Sequence, residues 1–220
     1  MSDFMRLDGP RQPAASGTAK QLVVLLHGWG ANGDDLIGLA PYLARALPDA
    51  AFAAPNAPYP CEANPMGLQW FSIMDRSEAQ MLAGLRLAAS LVDAFLDEEL
   101  AANGLGPERL ALVGFSQGTM LSLHLGLRRR EAPAQIVGFS GRLIGGDLLA
   151  GELTVSPPVL LVHGTADPMV PYQASEKAAE TLRACGVPTD LLLRPGLPHS
   201  IDEPGIAKAL EALRAAFGIG

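Results

Sequence analysis

The chain has 220 residues, of which 49% are hydrophobic and 18% charged, a balance that excludes a disordered polypeptide and suits one domain over residues 1–220. At this length a core can bury roughly 70% of the surface of the unfolded chain, so no disulfide or structural metal is required. With 23 acidic against 16 basic residues the net charge is −7, which excludes nucleic acid as an expected partner, because phosphate binding needs a basic face.

The first residues, Met1-Ser2-Asp3-Phe4-Met5-Arg6-Leu7-Asp8, lack the apolar stretch of a signal peptide, so a cytoplasmic protein is expected. No run approaches about 18 apolar residues, so integral membrane association is not expected. In chain order, apolar runs at 21–26 and 50–53 read as strands. A helical stripe comes next over 81–100, with Leu85, Ala89, Val92 and Leu96 on one face and Asn103-Gly104 as the stop. Then come a strand at 110–114, a helix over 117–127 that is apolar nearly all round, and a strand at 135–139. A strand at 159–162, a helix over 173–185, a strand at 190–193 and a final helix over 203–217 complete the chain. Asp202 and Pro204 fit the cap and first turn of that last helix. The run Arg128-Arg129-Arg130 ends the second helix, where cations complement the helix dipole.

Strands without polar alternation, separated by helices, predict an α/β fold with a mostly parallel sheet covered on both faces. Ligands in such folds bind beyond the carboxyl ends of the strands. Two runs, Leu25-Leu26-His27-Gly28 and Leu161-Val162-His163-Gly164, end alike and read as strands reaching the same sheet edge.

The chemistry lies in the residues just beyond the strand ends. Gly114-Phe115-Ser116-Gln117-Gly118 lies between a predicted strand and a predicted helix. This is the setting in which a sharp turn lifts a serine hydroxyl clear of the sheet and glycines leave room for it. A serine nucleophile needs a base, and the base an orienting acid. Asp167 comes after the 159–162 strand and His199 after the next, giving the chain order Ser, Asp, His of an α/β-hydrolase. Asp147, on an earlier loop, is a rival for the acid. Asp190 begins a strand at the other edge, and Asp202 reads as a cap. One oxyanion donor is expected to be the backbone N–H of Gln117, the second to come from the loop His27-Gly28-Trp29-Gly30.

In these segments the chain resembles the phospholipase/carboxylesterase branch of the α/β-hydrolases. Leu26-His27-Gly28-Trp29-Gly30-Ala31-Asn32-Gly33-Asp34, Gln69-Trp70-Phe71-Ser72-Ile73, the Gly114 to Gly118 motif, Ser140-Gly141-Arg142-Leu143 and the residues around Asp167 and His199 carry the likeness, in this order. The resemblance implies a Ser116–His199–Asp167 triad, oxyanion donors on the backbone of Trp29 and Gln117, no cofactor, and no large cap domain. Position 29 is commonly leucine in relatives, a change that a backbone donor survives. An open groove is expected, walled by Leu68, Trp70, Leu143, Ile144, Met169 and Val170, for small-molecule or lipid-like esters with short-to-medium acyl chains. Trp70, Phe71 and Met169 also fit ordinary core positions.

The same machinery serves a thioesterase or lysophospholipase, because fold and triad do not specify the leaving group. A non-catalytic binding protein on this fold would normally have lost a triad member. The remaining histidines read as structural: His27 and His163 hydrogen-bonding loop backbone, His124 packed within a helix. They form no metal-binding pattern. Cys61 and Cys185 read as free thiols. The sequence leaves the oligomeric state open, a homodimer included.

Overall fold

A computed structural model describes residues 6–219; residues 1–5, part of the N-terminal segment discussed above, lie outside the described residues. The chain runs β1 (Arg11–Gln12), β2 (Gln21–Leu26), α1 (Gly33–Ile37), α2 (Ala40–Ala44), β3 (Ala50–Ala53), β4 (Tyr59–Pro60), β5 (Leu68–Gln69) and α3 (Glu78–Asn103). It continues through β6 (Leu110–Phe115), α4 (Gln117–Gly126), β7 (Gln135–Phe139), α5 (Leu149–Glu152), β8 (Val159–Gly164), α6 (Gln173–Ala184), β9 (Thr189–Arg194) and α7 (Glu203–Ala216). The main sheet has the order β1-β3-β2-β6-β7-β8-β9. All its pairings are parallel except that of β1 with β3.

Alternate residues of each strand feed opposite layers, as a pleated backbone requires. Leu22, Val24, Leu26, Leu110 and Leu112 pack with α3 and α4. Val23, Leu25, Ala111 and Val113 pack with α1, α2 and α7 on the other face. Ile136, Val159 and Leu161 meet α6 through Ala178, Ala179 and Leu182. This is the α/β-hydrolase architecture, with no large cap over the sheet.

The six predicted strands are all present, β2, β3 and β7 with the expected bounds and β6, β8 and β9 one or two residues longer. The missed elements, β1, β4, β5, α1, α2 and α5, have two to five residues each, too few to show a period. Helix α3, by length and composition alone, is long and apolar enough to cross a membrane, which the hydropathy of the sequence did not lead us to expect. Here its apolar stripe, including Leu85, Val92 and Leu96, is packed against the sheet.

Topology fixes where the site falls. After β2 the chain adds β3 on one side, then returns to lay β6 on the other. Leu26 is in register with Gly114, so the loops after β2 and β6 emerge side by side where the strand order reverses.

Candidate active site

Ser116 sits at the junction of β6 and α4 with φ 54°, ψ −111°, a conformation that costs a non-glycine residue roughly 1–3 kcal/mol. The surroundings enforce it. The Ser116 N–H donates to the Phe139 carbonyl at 2.8 Å. Thr119 Oγ1 lies 2.8 Å from both the Gly114 and Phe139 carbonyls. The flanking glycines are steric requirements: a Cβ on Gly118 would come within 1.8 Å of the Leu26 carbonyl oxygen, and one on Gly114 within 2.4 Å of Gly118 backbone. Helix α4 begins at Gln117, so its first N–H groups, which have no intrahelical acceptor, point toward the turn.

Two loops deliver the other predicted groups, the first after β8 and the second after β9. They are tied together: Ala166 N–H donates to the Leu197 carbonyl at 3.0 Å, and Gly196 N–H to Thr165 Oγ1 at 2.9 Å. His199 Nδ1 lies 2.6 Å from Asp167 Oδ2. Asp167 Oδ1 accepts from the N–H groups of Met169 and Val170 at 2.8 and 2.9 Å. Burial, the largest single influence, raises the carboxyl's pKa. The hydrogen bonds from Val170, His199 and Met169 together outweigh it and hold the group below its ordinary 3.8. An ionised Asp167 makes His199 Nδ1 the donor, which leaves Nε2 of the neutral ring as a base. The ring packs on Phe115, centroids 4.8 Å apart.

Asp167 has a second histidine, which sequence alone suggested only as loop structure. His163 Nε2 lies 3.1 Å from Asp167 Oδ2 and 2.9 Å from the Val170 carbonyl, so that nitrogen carries a proton. Its Nδ1 meets Ser175 Oγ at 2.6 Å, and burial above all lowers the ring's pKa. His163 thus helps to hold the carboxylate that orients His199. His27 does brace loop backbone: Nε2 accepts the Ala57 N–H at 3.0 Å, so Nδ1 donates to the Gly28 carbonyl at 2.8 Å. Asp202 caps α7 by accepting the Gly205 N–H and also holds Arg194. Asp147 is exposed on the loop after β7.

A cavity of about 500 Å³ contains Ser116, His199, Gln117, Trp29 and Gly28 in its lining. Met169 and Val170 line it. Leu68, Trp70, Leu143 and Ile144 do not, which corrects the expected groove wall. Trp70 is wholly buried and donates its indole N–H to the His27 carbonyl at 2.9 Å. Ile144 is buried in the α3 layer, Leu68 packs beside it, and Leu143 packs against the α6 layer. The stretch before Trp70 braces the loop after β2: Gly30 N–H donates to the Leu68 carbonyl, Leu68 N–H to that of Ala31, and the Trp29 indole to Gln69 Oε1. Gln117 extends the brace, its side chain accepting the Trp70 N–H at 2.9 Å and donating to the Phe71 carbonyl at 2.7 Å. The actual apolar wall includes Ile73, Met81, Met120 and Pro171, with Arg76 and Arg142 among them. Ile73 and Arg142 fall in segments that carry the family likeness, whereas no motif marks Arg76, Met81 or Met120; the fold brings these loops and helices together. Among the described residues, no cluster of His, Cys, Asp and Glu could hold a metal ion. Both cysteines are free thiols.

Fold and site together define an α/β-hydrolase. Residues 11–217 match the Phospholipase/Carboxylesterase family, and the chain belongs to it. Esterase YpfH of Escherichia coli is 27% identical over 215 residues, 96% of this chain and 88% of that protein. Acyl-protein thioesterase 1 of Kluyveromyces lactis is 32% identical over 189 residues, 79% of this chain and 81% of the other. The crystal structure of esterase PE8 superposes with a TM-score of 0.93 at 42% identity, covering 96% of this chain and all of that one.

Proposed function

We propose that the chain hydrolyses carboxylic esters through an acyl-enzyme on Ser116. The observation that carries this reading is the strained Ser116 turn sharing a cavity with a histidine whose Nδ1 is held by a buried carboxylate. Ser116 Oγ attacks the acyl carbonyl while His199 Nε2 takes its proton, then returns it to the departing alcohol. Asp167 fixes the tautomer and balances the imidazolium. The backbone N–H groups of Trp29 and Gln117 receive the negative oxygen of the tetrahedral intermediate. Water, activated by His199, releases the acid and restores Ser116.

Small-molecule or lipid-like esters of short-to-medium acyl chain are the proposed substrates. The largely apolar cavity supports this, since each buried methylene gains about 0.8 kcal/mol. The K. lactis relative favours a second reading, thioester cleavage by the same groups.

A fluorophosphonate should label wild-type protein at Ser116, and Ser116→Ala should lose turnover by roughly 10⁵–10⁶. Labelling of another serine in the mutant would overturn the assignment. Across p-nitrophenyl esters from acetate to palmitate, kcat/KM should rise and then break at medium chains. A rise that continues to palmitate points to long lipid or acyl-protein substrates instead.

A further inference from the structure

The cavity that contains Ser116 and His199 has a charge pattern opposite to that of the molecule. The chain carries 23 acidic and 16 basic residues. Yet among the described residues no Asp or Glu lines this cavity, while Arg76 and Arg142 both do. A neutral substrate that covered these guanidinium groups would strip their hydration and give them no counter-charge in return.

Neither arginine is used up by the fold. Arg142 Nη2 donates to Met81 Sδ at 2.9 Å, and a thioether is a weak acceptor. Its ion pair with Glu78 is loose, Nη2 to Oε2 3.8 Å, too long for a hydrogen bond, and the other oxygen of Glu78 already accepts the Gly145 N–H at 2.7 Å. The Arg142 side chain is 34% exposed, so it is reachable from the cavity. Arg76 is exposed, one residue before the cap of α3, and has no carboxylate partner among the described residues. A guanidinium offers five donors in a planar fork that matches a carboxylate or phosphate, so both side chains keep donors to spare.

We propose that Arg76 and Arg142 form an anion subsite in the substrate cavity, and that the preferred esters carry a second group, a carboxylate or phosphate, away from the scissile bond. The proposal rests on the hydrolase reading above. The subsite places a charged end of the substrate against the two arginines and leaves the neutral ester carbonyl at Ser116. In a purely apolar cavity the same anion would lose its hydration and gain no partner.

Two matched substrate pairs test this. Methyl hexanoate and monomethyl adipate differ by a carboxylate at the acyl end. Pentyl acetate and 5-acetoxypentanoate differ by one at the alcohol end. The quantity read is the ratio of kcat/KM, anionic over neutral, within each pair, so that a general loss of activity cancels. In wild-type protein at low salt the ratio should be at or above one in at least one pair, and that pair shows which side of the ester faces the arginines. It should fall by about tenfold in Arg142→Gln, again in Arg76→Gln, and further in the double variant. About 0.5 M NaCl should also lower it, most through the exposed Arg76. A wild-type ratio far below one in both pairs, or a ratio that neither substitution changes, overturns the subsite while hydrolysis of the neutral esters leaves the hydrolase reading intact. Failure to cleave any of the four esters, with no fluorophosphonate adduct, overturns the hydrolase reading itself.

Discussion

Asp167 accepts hydrogen bonds from two histidines and two backbone N–H groups, so its carboxylate is held from four sides. Asp167→Asn keeps the shape but puts an amide where the His199 Nδ1–H needs an acceptor of fixed polarity, so kcat should drop by roughly 10⁴. Asp147→Asn, on its exposed loop, should stay near wild type. Steady-state kinetics on a p-nitrophenyl ester checks both, and the reverse pattern would move the acid to the other loop. The proposed triad was legible in the sequence because a motif and a chain order mark it. The cavity wall was not. Leu68, Trp70, Leu143 and Ile144 are apolar and near the right loops, but which way a loop side chain turns depends on contacts distant in sequence. Trp70 turns inward because its indole N–H finds the His27 carbonyl. For His163 the sequence conveys only a structural role, since nothing local to His163-Gly164 reveals that Asp167, four residues on, folds back onto its ring.

Among the elements, α3 and α4 show what hydrophobic spacing can and cannot convey. Both were visible in the sequence, the first from a stripe, the second from being apolar all round. Their ends differ from expectation by up to three residues, since a cap at Ser77 lies upstream of the first periodic apolar position. Burial within α3 decides what a truncation costs. Leu96 is fully buried, so Leu96→Ala should destabilise by about 2–5 kcal/mol. Leu87 is 64% exposed on the same helix, so Leu87→Ala should stay within about 0.5 kcal/mol of wild type. Urea unfolding midpoints at constant slope give both values. An equal response at the two positions would mean that α3 does not pack as described.

For the molecule as a whole, buried imidazoles make stability depend on pH. Burial, and next the neighbouring Arg128 guanidinium, pushes His124 down to about 4 from an ordinary 6.5. His27 and His163 are lowered too, again chiefly by burial. Between about 4 and 6.5 the unfolded chain therefore binds protons at His124 that the folded protein does not. Stability from this source is fully present above the unfolded value and is lost as pH falls toward the folded one. Urea midpoints should fall steadily across that range, and His124→Gln should flatten the slope. An unchanged slope in that variant would assign the effect to other groups. The loop between β7 and β8 has a different consequence. Ser116 and both proposed oxyanion donors precede it, whereas Asp167 and His199 come after it. Exposed Gly151 lies in the short helix α5 of this connection, and a Cβ there would meet nothing within 4 Å. A chain opened at that point would consist of two inert pieces, one with the nucleophile and one with its base. Turnover would return only when β7 and β8 zip together again, so the rate of ester cleavage would count reunited halves, and proteins fused to the two pieces could report their own encounter as colour.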